Sequence, residues 1–115
     1  MSKEIVKHYI NGQYVEGKGD RFGDIYDPST GQVTRQVALA TEQEVEDAIA
    51  SSDAAFADWA ATPPGRRAQV MFRFRELIRE NMLELATLLS AEHGKTIEDA
   101  TGSVTRGLEV VEFAC

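Results

Sequence analysis

Two periods of hydrophobic and polar residues divide this chain near residue 40. In the first part, β-favouring residues flank turn signals at short intervals. The segment HYINGQYV places Asn11-Gly12 between two such runs, and both residues tolerate the positive φ that a tight hairpin turn demands. A loop rich in glycine and charge, EGKGDRFGD, follows. Ile25-Tyr26 then leads into Asp27-Pro28-Ser29-Thr30-Gly31, where proline presets φ and Gly31 closes the turn. In QVTRQVAL the alternation puts Val33, Val37 and Leu39 on one face. The pattern predicts either two hairpins or one hairpin and a longer pair.

From Thr41 the period becomes helical. Thr41-Glu42-Gln43-Glu44 has the form of a capping box, with Thr41 as N-cap and Glu44 returning the bond. Val45, Ala48, Ile49, Ser52, Phe56 and Trp59 then form a stripe expected to face a core. Thr62-Pro63-Pro64 ends that helix and starts the next, since proline is tolerated in a first helical turn. The second helix carries Val70, Met71, Phe74, Leu77 and Ile78 along one side, with Phe72 roughly opposite Phe74. Phe72 is expected to pack on the β segment or to mark an outside interface.

Asn81-Met82-Leu83-Glu84 predicts a break with a new N-cap. A third helix follows, with Met82, Leu85, Ala86, Leu88 and Leu89 wrapping much of it, and Gly94 closes it. Thr96 opens a fourth, whose stripe runs through Ile97, Ala100, Val104, Leu108, Val111 and Cys115. The stripe is still running at residue 115, which suggests a piece of a longer protein. The expected fold is α+β: β-hairpin strands over 1–40, then about four α-helices over 41–115, in one structural unit.

Charge and composition narrow the function classes. The 115 residues are 43% hydrophobic and 27% charged, as in a folded globular segment. A net charge of −7 argues against a nucleic-acid partner, because phosphate binding needs a basic face. The arginine-rich stretch Arg66, Arg67, Arg73, Arg75 and Arg79 is interleaved with Glu76 and Glu80, as on a solvated helix face. No apolar run reaches the roughly 20 residues of a membrane helix. The first residues lack the apolar core of a secretory signal, and one cysteine cannot form a disulfide framework. These features predict a cytoplasmic protein with no membrane partner.

Candidate chemistry is sparse. Gly94-Lys95-Thr96 resembles the end of a phosphate-binding loop, but Leu89 stands where that loop needs glycine. Gly94 reads better as a helix C-cap, and Lys95 as a cation near that helix end. Cys115 with His93 as base is the one nucleophile–base pair worth weighing. Yet Cys115 falls on an apolar stripe, and its nearest charges along the chain are Glu109 and Glu112, the reverse of what a thiolate needs. His8 and His93 are isolated, without the clustered carboxylates of a metal site. The pairs Glu42/Glu44 and Glu109/Glu112 read as solvated helix surface. Gly102 and Gly107 each cost a helix about 1 kcal/mol relative to alanine, which suggests close packing of another element. No residue is assigned to catalysis, cofactor binding or metal binding.

Taken in order, YINGQYVEG, DIYDPSTGQVTRQVALAT, TPPGRRAQVMFRFRELIREN and LLSAEHGKTIEDA resemble the N-terminal part of the aldehyde dehydrogenase superfamily. The ending EHGKTIEDATGSVTRGLEVVEFAC is similar to the CoA-acylating methylmalonate-semialdehyde (malonate-semialdehyde) dehydrogenases. The resemblance implies a parent enzyme in which a cysteine thiolate attacks an aldehyde, hydride passes to NAD, and the acyl group passes to CoA with loss of CO2. It also implies that the nucleophile, its oxyanion-stabilising asparagine and the main cofactor loops lie in parts of the family fold that no position here matches. Cys115 is not that nucleophile.

The resulting expectation is a non-catalytic N-terminal fragment of a larger cofactor-binding domain. It would bind neither NAD nor CoA itself, would have the remainder of the parent chain as partner, and would belong to a homo-oligomer. Alternatives are a stand-alone interaction module derived from the family, or a fragment of an aldehyde dehydrogenase that does not use CoA. The stripe around Val111 and Cys115 has no evident cover in sequence, so self-association is expected there.

Overall fold

A computed structural model describes residues 4–115. The element order is β1 (Glu4–Val6), β2 (His8–Ile10), β3 (Gln13–Val15), β4 (Phe22–Tyr26), β5 (Val33–Ala38), α1 (Glu42–Ala61), α2 (Pro64–Glu80), α3 (Met82–His93) and α4 (Ile97–Ala114). This is an α+β arrangement matching the N-terminal part of an aldehyde dehydrogenase fold. It divides into two compact units, 1–60 and 61–115. The division falls some twenty residues after the change of period at 40/41. The reason is local: the first helix is tied by its cap to the strand region that precedes it.

In the first unit β2 and β3 form the expected hairpin. Asn11 and Gly12 take φ of 51° and 73°, the two positive values that a type I′ turn requires. The hairpin register sets Tyr9 opposite Tyr14, and their rings meet edge to face at 5.1 Å. The second sheet has the order β1-β5-β4. β4 and β5 are antiparallel, joined by the proline turn. There Asp27 O accepts from Gly31 N at 2.8 Å, and Asp27 Oδ1 accepts from Ser29 N at 2.7 Å.

Three details differ from the sequence reading. β4 starts at Phe22, inside the stretch read as loop. β1 pairs in parallel with β5 across a long sequence gap, which short-range pattern does not reveal. On β5 the buried residue is Ala38, while Leu39 lies beyond the strand and is exposed. A register shift at Ile25/Tyr26 accounts for the broken alternation: Ile25 faces Arg35 and Tyr26 faces Val33. The skipped residue, Thr34, donates its hydroxyl to Ile25 O at 3.1 Å.

In the second unit α4 packs against both α2 and α3. The tightest points are Ala86 on α3 and Ala100 on α4, both fully buried. Asn81 breaks the chain between α2 and α3 as expected, but not by capping α3. Its side chain makes no N-cap bond, and its Nδ2 instead donates to Leu77 O at 2.7 Å, closing α2. Gly94 ends α3 in the left-handed region at φ 79°, with its N–H on Ser90 O. Thr96 caps α4, its hydroxyl accepting from Asp99 N at 3.2 Å.

Among the described residues the buried apolar positions are three alanines, Ala38, Ala86 and Ala100. The stripe of α1 is therefore not covered: Val45, Ile49, Phe56 and Trp59 are all exposed. On α2 the half-buried side is Arg67, Met71, Arg75 and Ile78, whereas Val70, Phe74 and Leu77 face outward. The apolar periodicity of both helices is real, but its cover is not supplied within these units.

Candidate functional site

The most connected polar group of the first unit is the carboxylate of Glu44. Its Oε2 accepts from Thr41 N at 2.8 Å and from the Thr41 hydroxyl at 3.0 Å, while Thr41 Oγ1 accepts from Glu44 N at 3.2 Å. This is the reciprocal capping box read from the sequence. The structure adds two partners. Lys18 N donates to Glu44 Oε1 at 2.7 Å, and His8 Nε2 lies 4.0 Å from the same oxygen.

Glu44 is thus buried, not part of a solvated surface, because its side chain turns back over the first turn of α1. The backbone N–H of Thr41 first, then that of Lys18, holds its carboxyl below the ordinary value near 4.5, against an opposing contribution from burial. The Thr41 hydroxyl and the nearby His8 act in the same direction. His8 Nε2 itself has no hydrogen-bond partner. The sequence reading saw His8 as isolated, since nothing in residue spacing joins β2 to α1.

Beside this clasp runs an open groove of about 700 Å³, lined by Ile10 of β2 and by Val45, Ile49 and Phe56 of α1. Its charged lining is Glu44 and Asp53. Two carboxylates repel a diphosphate, and the Glu44 side chain already occupies the N-terminus of α1, where a phosphate would otherwise sit. The residues present do not fit a dinucleotide.

In the second unit the candidates from sequence fall into ordinary structural roles. Gly94-Lys95-Thr96 is a helix–helix corner: Ser90 Oγ donates to Lys95 O at 2.7 Å, and Lys95 Nζ donates to Ser103 Oγ at 2.8 Å. Lys95 therefore reaches along α4 and not back to the end of α3. His93 is the last residue of α3. Cys115 is half-buried, and its thiol donates to Val111 O at 3.3 Å.

A small cavity of about 330 Å³ is lined by Phe72, Arg75, Glu112 and Cys115. Phe72 thus lies beside Cys115, at the meeting of α2 and α4, and not against the β segment. Arg75 joins the two helices: its Nη2 is 2.7 Å from Glu112 Oε1, its Nε donates to the same oxygen at 2.8 Å, and Glu76 takes its Nη1. Glu112, and then Glu76, raise the Arg75 pKa above its ordinary value. Glu112 is accordingly engaged and not simply solvated, and its negative charge beside Cys115 disfavours a thiolate.

Gly102 and Gly107 show no close packing. A Cβ at Gly102 would meet only Arg106 Nη1 at 3.9 Å, and one at Gly107 would meet nothing within 4 Å. Among the described residues no group of three or more His, Cys, Asp or Glu is arranged to hold a metal ion.

The architecture carries no assembled catalytic centre, and its affinity is read instead from the whole chain. The aldehyde dehydrogenase family model matches residues 14–115, and the chain belongs to that family. It is 48% identical over 114 residues to the human methylmalonate-semialdehyde/malonate-semialdehyde dehydrogenase [acylating], mitochondrial, covering 99% of this chain and 21% of that protein. To the malonate-semialdehyde dehydrogenase of Pseudomonas aeruginosa it is 46% identical over 108 residues, 94% of this chain and 22% of that one. A Sinorhizobium meliloti chain crystallised with NAD, and provisionally assigned as a methylmalonate-semialdehyde dehydrogenase, superposes with a TM-score of 0.94 at 47% identity. That superposition covers 97% of this chain and 23% of the other. The chain spans about a fifth to a quarter of the length of these relatives.

Proposed function

We propose that this chain is the N-terminal quarter of an NAD-dependent, CoA-acylating (methyl)malonate-semialdehyde dehydrogenase, and that it has no turnover alone. The observation that carries the reading is 46–48% identity, over 94–99% of the chain, to dehydrogenases of this one substrate class. An acylating relative supports CoA as the acceptor, and a structural relative crystallised with NAD supports NAD as the oxidant. The parent would be an oxidoreductase converting the semialdehyde to an acyl-CoA with loss of CO2.

The contribution of the chain itself is scaffolding. The apolar face of α1 and the outer face of α2 are built as the inner surfaces of a larger fold, so the remainder of the parent is its natural partner. Membership of a homo-oligomer follows the same reasoning. A reducing compartment, the cytoplasm, is supported by the single cysteine. The charge of −7 speaks against a nucleic-acid partner, and no described helix is long and apolar enough to cross a membrane.

The test is a dehydrogenase assay on the 115-residue chain with NAD, CoA and malonate semialdehyde. No NADH should form above the background of buffer alone. Sustained NADH production by the purified chain would overturn the scaffolding role.

A further inference from the structure

Two exposed apolar helix faces of this chain carry opposite charge. Over Glu42–Ala61, α1 has six acidic residues and no lysine or arginine. Its open face presents Ile49 and Phe56, with Asp53 between them in the groove. Over Pro64–Glu80, α2 has five arginines and two glutamates. Its inner side is occupied by the Arg75–Glu112 bridge to α4, so its outer side is free to present Val70 and Phe74 alongside Arg73. Arg73 is 63% exposed, and its one ion pair is a long 3.5 Å contact with Glu80.

We propose that the acidic apolar face of α1 docks on the arginine-bearing apolar face of α2 in a second copy of this chain. The two helices match in length, at roughly 30 and 25 Å for twenty and seventeen residues. Each face lacks what the other supplies: α1 has apolar area with uncompensated carboxylates, and α2 has apolar area with exposed guanidinium groups. Burying the apolar stripes drives the association, and the charges select α1 against α2 over either helix against itself. The contact made in both directions closes a pair, because the second copy presents the same two faces. This placement moves self-association away from Val111 and Cys115, both of which are half-buried within their own unit.

The experiment is light scattering on the 115-residue chain across a dilution series at low and high salt, with charge-reversed variants. The wild-type chain should dimerise as concentration rises, and added salt should raise its dissociation constant, because the selecting charges are exposed. Asp53→Arg and Arg73→Glu should each raise that constant at least tenfold. An equimolar mixture of the two variants should recover the dimer, since each then offers the charge its partner lacks. If either variant loses helical circular dichroism, Glu46→Lys or Arg66→Glu replaces it. A wild-type chain that stays monomeric at every concentration overturns the proposal and leaves these faces to the rest of a longer family chain. A dimer indifferent to both reversals overturns it too, as does a variant mixture that fails to associate.

Discussion

Replacing Thr41 by alanine removes one side of the clasp that starts α1. Two interactions go: the hydroxyl's bond to Glu44 Oε2 at 3.0 Å and its acceptance of Glu44 N–H at 3.2 Å. The bonds from Thr41 N and Lys18 N to the Glu44 carboxylate, at 2.8 and 2.7 Å, survive because they use the backbone. The loss is therefore that of an N-cap, about 1 kcal/mol, and not that of the whole clasp. With a urea dependence of about 1.5 kcal/mol per molar, the unfolding midpoint should fall by roughly 0.7 M. Trp59, the one tryptophan of the chain, lies on α1 and reports on the first unit by fluorescence. A midpoint within about 0.2 M of wild type would refute the cap as a stabilising element, since that corresponds to only about 0.3 kcal/mol at the same slope.

Two further substitutions test the same physical reading. The Glu44 carboxyl titrates below its ordinary value near 4.5 in the folded chain, so its ionised form stabilises the fold above that pH. The stabilisation is lost as pH falls through the lower folded value, so Glu44→Gln should remove this component of acid destabilisation. A Trp59-monitored stability profile with the same slope below pH 4.5 in both proteins would contradict it. Gly107→Ala should stabilise α4 by about 1 kcal/mol, because a Cβ there meets nothing within 4 Å and alanine restores helix propensity. Unchanged or lower thermal stability would mean that something outside the chain fills that space.

The parts of the fold legible in sequence are those written in neighbouring residues. Asn11-Gly12, the Asp27–Gly31 turn, the Thr41/Glu44 box, the Pro63-Pro64 break, Gly94 and the Thr96 cap are local devices, and each appears where it was read. The parallel pairing of β1 with β5 was not legible, because no short-range signal joins residue 4 to residue 35. Nor was Glu44 as the meeting point of Lys18 and His8, which are 26 and 36 positions away.

Periodicity gave the apolar faces of α1 and α2 correctly, but not whether they are covered. On α2 the arginines Arg67 and Arg75 take the inner side, because Arg75 is neutralised by Glu112 where α2 meets α4. Gly102 and Gly107 mislead for a related reason. A glycine in a helix signals room for a neighbour, and in this chain no neighbour enters it.

The central claim is that this family segment belongs to a CoA-acylating semialdehyde dehydrogenase and supplies scaffold, not chemistry. Product analysis of the chain extended to the length of its relatives, supplied with malonate semialdehyde and NAD, tests it most directly. The account predicts NADH together with an acyl-CoA when CoA is present, and no such product from residues 1–115 alone. A free carboxylic acid formed at the same rate with or without CoA would contradict it.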